Sequence, residues 1–328
     1  MNTRKLGKDL TVSSVGLGCM GMTHAYGSPA DTAEMTRLIH EAVELGYTMF
    51  DTAECYAAEN PDGSTAYNEE LVGKALAPYR DKVVIATKFG VSLSPTGLLT
   101  DSSPEVIKRS VEGSLKRLGT DHIDLYYQHR IDPAVAPETV AEVMAELIKE
   151  GKITHWGISE TNEDYLRRAN AVCPVTAIQN RYSMMFRDYE KLFPVLEELN
   201  IGLVAFSPLA NGLLSDRYTK ADTFEKNDYR SFMPHFKAEA FDENEQLFSL
   251  IRELSESKNA TPAQISLAWM ICKKPYIVPI PGTRKSDRLI ENAGASDIVL
   301  TAEEVSEIDK RLENVKMSAV FGGSKTHK

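Results

Sequence analysis

Residues 123–159 read IDLYYQHRIDPAVAPETVAEVMAELIKEGKITHWGIS, and the order of patterns inside that stretch decides the fold. An apolar run, Ile123–His129, comes first. Pro137–Lys149 follows, with Val140, Val143, Met144, Leu147 and Ile148 at i, i+3, i+4, i+7 and i+8, the spacing of one helix face. Gly151 stands where that helix should stop, and a second apolar run, Ile153–Ser159, follows it. Both runs are apolar without alternation, as in strands buried on both faces of a parallel sheet. The stretch is one strand-helix-strand unit.

The unit repeats in both directions. Towards the N-terminus the apolar runs are Val15–Gly18, Thr48–Asp51 and Val83–Lys88; towards the C-terminus they are Val175–Gln179, Leu203–Phe206 and Ile277–Ile280. Helical patterns separate them at Thr32–Leu45, Asn68–Ala77, Pro104–Leu118, Glu163–Asn170, Tyr189–Leu199 and Thr261–Ile271. Ser103 before Pro104 and Thr261 before Pro262 read as helix caps, and Gly46 and Gly119 as helix stops. Eight strands in strict alternation fit a closed barrel better than an open sheet. The expectation is an α/β fold, a (β/α)8 TIM barrel, opened by an N-terminal β-hairpin (Lys5-Leu6, a turn at 7–9, then Leu10–Val12). Extra C-terminal helices are expected at Ser286–Ala293 and Thr301–Leu312. No domain boundary is visible in residues 1–316, and 317–328 reads as a flexible tail. The stretch Asn211 to about Glu239 reads as a long polar-aromatic loop, a type that is usually functional.

The chain has 328 residues, with 37 Lys and Arg against 47 Asp and Glu, a net charge of −10. That balance argues against a nucleic-acid partner or an anionic membrane surface, while leaving room for one phosphorylated ligand on a local basic patch. The 42% hydrophobic content is ordinary for a globular protein, and no apolar run approaches a membrane span. Met1 to Lys8 is polar, unlike a secretory leader, and Cys19, Cys55, Cys173 and Cys272 are widely spaced. A cytoplasmic protein with reduced thiols is expected.

Gly16-Leu17-Gly18-Cys19-Met20-Gly21 has the GxGxxG spacing, but Met22 to Pro29 reads as loop where a dinucleotide fold needs a helix. Gly282-Thr283-Arg284-Lys285-Ser286 ends like a P-loop but has Arg284 at its glycine position. Neither motif is accepted. The stronger signal is positional, because Asp51, Lys88, His129, Ser159 and Gln179 each end a strand. In a parallel barrel those ends meet at one mouth, where active sites are built. Alone, each has a dull reading: a turn cap, a surface lysine, a satisfied histidine. Together with Tyr56 they suggest a general acid, a phenol whose pKa an ammonium lowers, with Asp51 keeping that ammonium charged and His129 orienting a carbonyl. No GxSxG, HExxH or metal-ligand spacing supplies a nucleophile, so a cofactor that gives hydride is implied. Phe206 and the small residues after it, and the cation-bearing turn before Ser286, are places for its ring and phosphates.

At these residues the chain resembles the aldo-keto reductase superfamily, over nearly its whole length. Asp51-Thr52-Ala53-Glu54-Cys55-Tyr56, Ala86-Thr87-Lys88-Phe89-Gly90 and Tyr126-Tyr127-Gln128-His129 are similar to the segments that carry that family's catalytic residues. The resemblance implies Tyr56 as acid, Lys88 and Asp51 tuning it, and His129 orienting the substrate. It implies NADPH (NADP+) as cofactor. Ser159 and Gln179 would hold the nicotinamide amide, Phe206 would stack on the ring, and Ser207, Leu209, Gly212 and Leu213 would line the pyrophosphate. Gly282, Thr283, Arg284, Arg288, Glu291 and Asn292 would meet the adenosine end, with Arg284 on the 2′-phosphate. Gly18, Met20 and Gly21 would form the first loop of the mouth, with Asp51 behind them. His129-Arg130-Ile131-Asp132-Pro133 is similar to the bacterial, plant and fungal branch loosely called auxin-induced-protein-like. Two features depart from the common pattern. Glu160 follows Ser159, with Asn162 two places later, which leaves open which side chain faces the nicotinamide; and Ala57–Thr65 is long, a candidate cover.

The expected function is NADPH-dependent reduction of an aldehyde or ketone, with a small-molecule carbonyl as partner and no metal. The alternative is a nucleotide-binding redox sensor, as potassium-channel β-subunits resemble the same family. Specificity is assigned to the loops Met22–Ser28, Ala57–Thr65 and Asn211–Glu239, whose Tyr26, Tyr218, Phe224, Tyr229, Phe232 and Phe236 suggest an apolar or aromatic pocket. The sequence carries no signal for the oligomeric state or for one particular carbonyl.

Overall fold

Eight parallel strands run in chain order around the molecule: Leu17–Gly18, Met49–Asp51, Val84–Phe89, Ile123–Gln128, Ile153–Ser159, Ala177–Arg181, Gly202–Phe206 and Ile277–Pro279. The computed structural model describes residues 1–60, 62–94, 97–321 and the backbone of 326–327. Each strand pairs with the next in sequence, for example Tyr126 with Trp156 and Ser159 with Gln179. The seam between the first and last strands closes through backbone alone. Gly16 N–H donates to Pro279 O at 2.9 Å and Gly18 N–H to Pro281 O at 3.3 Å, and Gly18 bridges Gly282 in parallel. A Cβ on Gly18 would lie 2.8 Å from Ile280 O, and one on Gly282 would lie 2.8 Å from Gly18 O. The glycines that imitate a dinucleotide motif therefore let two strands meet. The (β/α)8 barrel is the architecture.

Period two sorts the strand residues. Met49, Ala86, Leu125, Tyr127, Ala177, Val204, Val278 and Ile280 point inward as one cluster, joined from below by Leu6, Leu10 and Val12 of the hairpin Thr3–Leu6/Leu10–Ser13. The Tyr127 ring takes the space beside Gly157, where a Cβ would fall 2.4 Å from it. The alternate residues, such as Phe50, Tyr126 and Trp156, face outward into a larger core under the helices. Pro137–Lys149 buries Val140, Val143, Met144 and Leu147, the predicted face. Pro104–Leu118 ends at Gly119, whose φ of +64° is a left-handed cap that glycine adopts without strain. Thr261 and Thr301 form complete capping boxes. Ser103, expected as a cap, makes no side-chain cap bond; its helix starts on Pro104 alone.

Several elements differ from the sequence reading. Tyr189–Leu199 is not one helix but a 3-10 turn, Asp188–Leu192, then Phe193–Leu199, because Pro194 cannot donate to the preceding turn. After the irregular stretch, two unforeseen helices appear, Ala238–Glu243 and Glu245–Lys258; the second buries Leu247, Phe248, Leu250 and Ile251. Two small hairpins, Ala57–Glu59 with Thr65–Tyr67 and Val91–Ser94 with Gly97–Thr100, stand beyond their strand ends. The segment read as a flexible tail begins by packing on the barrel. Met317, Val320 and Phe321 lie against the core, Ser318 exchanges hydrogen bonds with Asn244, and Phe321 N–H donates to His235 Nδ1 at 3.2 Å. Residues 322–325 and 328 lie outside the described ones. The extra helices are Ser286–Gly294 and Ala302–Asn314, and no described helix is long and apolar enough to cross a membrane.

Candidate active site

The inward parity that fills the barrel with Met49, Ala86, Gly157 and Ala177 carries on upward to Asp51, Lys88, Ser159 and Gln179. Polar residues thus crown an apolar interior at the C-terminal ends of their strands. Lys88 is fully buried, and its ammonium donates to Asp51 Oδ1 at 2.5 Å, Thr52 O at 2.7 Å and the Tyr56 hydroxyl oxygen at 3.4 Å. Gln179 Nε2 donates to the other Asp51 oxygen at 2.7 Å. Tyr56 is not on a strand. The loop after Asp51 carries it, and Thr23 Oγ1, donating to Tyr56 O at 3.1 Å, pins it there. Its ring meets that of His129 edge-on at 5.7 Å between centroids and lies parallel to His24 at 6.1 Å.

The charges follow from burial. Taking Lys88 out of water would favour its neutral form, yet the adjoining Asp51 carboxylate and Tyr56 outweigh this, so its pKa is raised and the ion pair persists. Burial pushes the Tyr56 phenol up to about 12, against the opposing pull of Lys88. The ammonium does not lower the phenol below its ordinary value, as sequence reasoning expected, because desolvation is the larger effect. Tyr56 is therefore a protonated donor at neutral pH. Burial, followed by Arg130, Lys88 and His24, holds His129 well below the usual imidazole range, so that it is neutral. A neutral phenol and a neutral imidazole, braced by a buried ion pair, can protonate or hold a carbonyl oxygen.

A cavity of about 680 Å³ opens above this floor. Asp51, Tyr56 and His129 line it; Lys88 lies beneath, reaching it through Tyr56. Gly18, Met20, Gly21, Ser159, Gln179, Phe206, Ser207, Leu209, Gly212, Gly282, Thr283, Arg284, Arg288, Glu291 and Asn292 line it too. Leu213 does not; the turn Ala210–Ser215 directs it into the core. The sequence also left Glu160 and Asn162 open. Asn162 caps its helix by accepting from Tyr165 N–H at 3.0 Å, and Glu160 accepts from Arg181 N–H at 3.3 Å; neither lines the cavity.

The far end of the cavity has the chemistry of a phosphate cradle. Arg284 donates from Nε to Gly21 O and from Nη1 to Ser28 O at 3.1 Å, tying the last turn to the first loop, while its Nη2 is buried without a partner. Arg288 Nε is likewise buried and unpartnered, and Lys285 precedes the helix Ser286–Gly294. Ser207, Ala210, Asn211 and Gly212 all have positive φ, so the chain after Phe206 coils tightly along the wall. Orphaned guanidinium nitrogens beside such a turn fit a dinucleotide's phosphates.

The rim was only partly foreseen. His24, Tyr26, Tyr218, Phe224 and Tyr229 line the cavity, as assigned to the two loops, whereas Phe232 is exposed and Phe236 buried. No described residue of 57–65 reaches it; Val91, Leu93 and Leu98 of the other hairpin do, and so does Phe321. Arg130 and Arg181 also line it and were missed. A signal existed for Arg181, which is two places beyond Gln179 on one strand and so shares its inward face.

The model of the aldo/keto reductase family matches residues 14–313. A protein described as aldo-keto reductase str7, from Strobilurus tenacellus, is 39% identical over 322 residues, spanning 95% of this chain and 92% of its own. Among solved structures, a glycerol dehydrogenase of Gluconobacter oxydans superposes with a TM-score of 0.85 at 28% identity, covering 98% of each chain. An aldo/keto reductase of Klebsiella pneumoniae, solved with NADP and acetate, has a TM-score of 0.71 at 27% identity and covers 94% of each.

Proposed function

The chain belongs to the aldo/keto reductase family and is an oxidoreductase, and from that premise we propose that it reduces an aldehyde or ketone to the alcohol with NADPH, Tyr56 giving the proton. The observation that carries this reading is the Lys88 ammonium held between the Asp51 carboxylate and the Tyr56 hydroxyl, at 2.5 and 3.4 Å. Tyr56 keeps its proton at neutral pH and releases it only when an oxygen beside it gains negative charge. Lys88, donating to the same phenol oxygen, then stabilises the phenolate. Neutral His129 faces the cavity where the carbonyl oxygen would sit, and orients it.

When bound, NADPH supplies hydride to the carbonyl carbon. Ser159, Gln179 and Phe206 would hold its nicotinamide, and Ser207, Leu209 and Gly212 its pyrophosphate. Gly282, Thr283, Arg284, Arg288, Glu291 and Asn292 would hold the adenosine end, with Gly18, Met20 and Gly21 on the near wall. The NADP in the Klebsiella relative supports the choice of cofactor. The 2′-phosphate is assigned to Arg284 Nη2 together with Arg288, since the other Arg284 nitrogens bind the first loop.

The test follows NADPH oxidation with a panel of aldehydes, ketones and quinones. Tyr56→Phe should lower kcat by about 10²–10⁴-fold and keep NADPH binding. Unchanged turnover in that variant ends the role given to Tyr56. Tight NADPH binding without turnover of any carbonyl favours a nucleotide-binding regulator instead.

A further inference from the structure

Seven cations line the cavity, and their partners divide them. Arg217 is paired with Glu291 at 2.7 Å and Arg230 with Asp228 at 2.5 Å. Arg284, Lys285 and Arg288 stand at the phosphate end. Arg130, which follows His129, and Arg181 stand together at the Phe206 ring, and neither has a carboxylate within ion-pair distance among the described residues. Arg130 Nη1 donates only to neutral oxygens, His129 O at 2.6 Å and Ser159 Oγ at 3.0 Å. Arg181 is 93% buried (7% exposed), and its guanidinium makes no hydrogen bond within the described protein. Its central carbon lies 5.2 and 5.4 Å from the ring centres of Phe186 and Phe206, and that of Arg130 lies 5.8 Å from Phe206.

Two guanidiniums so placed are costly. Burial lowers the pKa of Arg181; the Glu160 carboxylate opposes it less strongly, and the neighbouring Arg130 charge adds a smaller lowering. The cavity's own carboxylates do not answer them. Asp51 is held by Lys88, Glu291 by Arg217, and Asp222 by the Thr219 amide and hydroxyl. The proposed cofactor does not answer them either, because its pyrophosphate is assigned to the turn at Ser207, Leu209 and Gly212, its 2′-phosphate to Arg284 and Arg288, and its nicotinamide end carries no negative charge. Aromatic rings can cover the faces of a guanidinium while its N–H edge stays free for an oxyanion.

We propose that Arg130 and Arg181 form a subsite for an oxyanion on the substrate, so that the enzyme's preferred carbonyl compounds carry a carboxylate or phosphate. The inference rests on the carbonyl-reductase reading and names its substrate class. Tyr56 and His129 engage the carbonyl, and the two arginines engage the anionic group on the Phe206 side. The chain's net charge of −10 repels such substrates at long range, so the subsite must be local.

Matched substrates test it. The value of kcat/KM is measured for 4-oxobutanoate against butanal, and for glyceraldehyde 3-phosphate against glyceraldehyde, all with NADPH. The anionic member of at least one pair should be preferred about tenfold or more, and the pair that shows it tells carboxylate from phosphate. Arg181→Met should remove most of that preference, a loss of about tenfold, chiefly through KM of the anionic member, as expected for a lost charge-assisted hydrogen bond. Arg181→Lys should restore part of it, and Arg130→Gln gives an independent reading should the first variant fold poorly. Equal kcat/KM within both pairs overturns the proposal, as does an equal loss for both members in Arg181→Met, which marks a structural arginine. Turnover of butanal and glyceraldehyde reports separately on the carbonyl-reductase reading. Should no carbonyl turn over, calorimetric titration of 4-hydroxybutanoate and inorganic phosphate into the NADP-loaded protein decides. Binding lost in Arg181→Met supports the subsite, and absence of binding overturns it.

Discussion

The floor and the rim of the cavity are built by different means. The floor, Asp51, Lys88, Ser159 and Gln179, stands on strand ends whose parity is set by the sheet, over side chains with no room to move. The rim is made of 3-10 turns and left-handed residues held by side chains. Arg230 is its hub: its guanidinium carbon lies 4.4 Å from the Phe224 ring centre, 5.2 Å from Tyr26 and 5.4 Å from Tyr218, and its Nη1 donates to the Tyr218 hydroxyl at 2.7 Å. The strap Tyr229 N–H to Ala25 O, at 2.8 Å, and the Asn211 to Tyr26 bond, also 2.8 Å, join the loops across the mouth. A buried floor can hold a reactive pair in one geometry, and a stitched rim can vary its contacts without disturbing that pair.

The contrast predicts where damage is largest. Lys88→Met leaves Asp51 as a buried charge without its cation and should cost about 3–5 kcal/mol in denaturant unfolding, with Asp51→Leu added to the same chain recovering a good part. No recovery would mean the pair is not the main electrostatic strain of the floor. Gly157→Ala comes next. Its methyl would lie 2.4 Å from both the Tyr127 ring and Ala177 O, and it should destabilise by about 2–3 kcal/mol. A full-strength protein would show that the interior relaxes as freely as the rim.

At the rim the effect should be smaller and should appear in binding. Arg230→Met removes the hub and should weaken NADPH about tenfold, or about 1.4 kcal/mol, by fluorescence titration, with a smaller loss in unfolding free energy than either floor variant. A loss of stability equal to that of Lys88→Met would erase the distinction. The smallest expected effect is none. His129 is held well below the usual imidazole range, so kcat/KM should show no break between about pH 5 and 8. Loss of the Tyr56 proton removes the donor, so reduction should decline only as pH climbs towards about 12. A break near the ordinary imidazole value would show that His129 titrates in water.

Much of the floor was legible in the primary sequence because each residue ends an apolar run, and a strand's direction and parity are local properties. Tyr56 was suggested by its chemistry and by the family likeness, not by position, since nothing in its own loop points it at Lys88. The helix Glu245–Lys258 escaped notice behind a long irregular stretch, although its four buried apolar residues carry the helical signal. The packing of Phe321 at the mouth and the diversion of Leu213 into the core were not legible, because each depends on partners elsewhere in the chain, whereas the hairpin Val91–Ser94 with Gly97–Thr100 is local and was overlooked.

The sequence by itself determined the barrel, the order of its strands, and which residues crown them, for periodicity and turn residues act over a few positions. The tertiary structure alone decided the protonation of Tyr56 and His129, the tie of Arg284 to the first loop, and the lack of any described carboxylate within ion-pair distance of the Arg130 and Arg181 guanidiniums. Burial and charge pairing are sums over neighbours from the whole chain, and those neighbours are fixed only when the barrel closes.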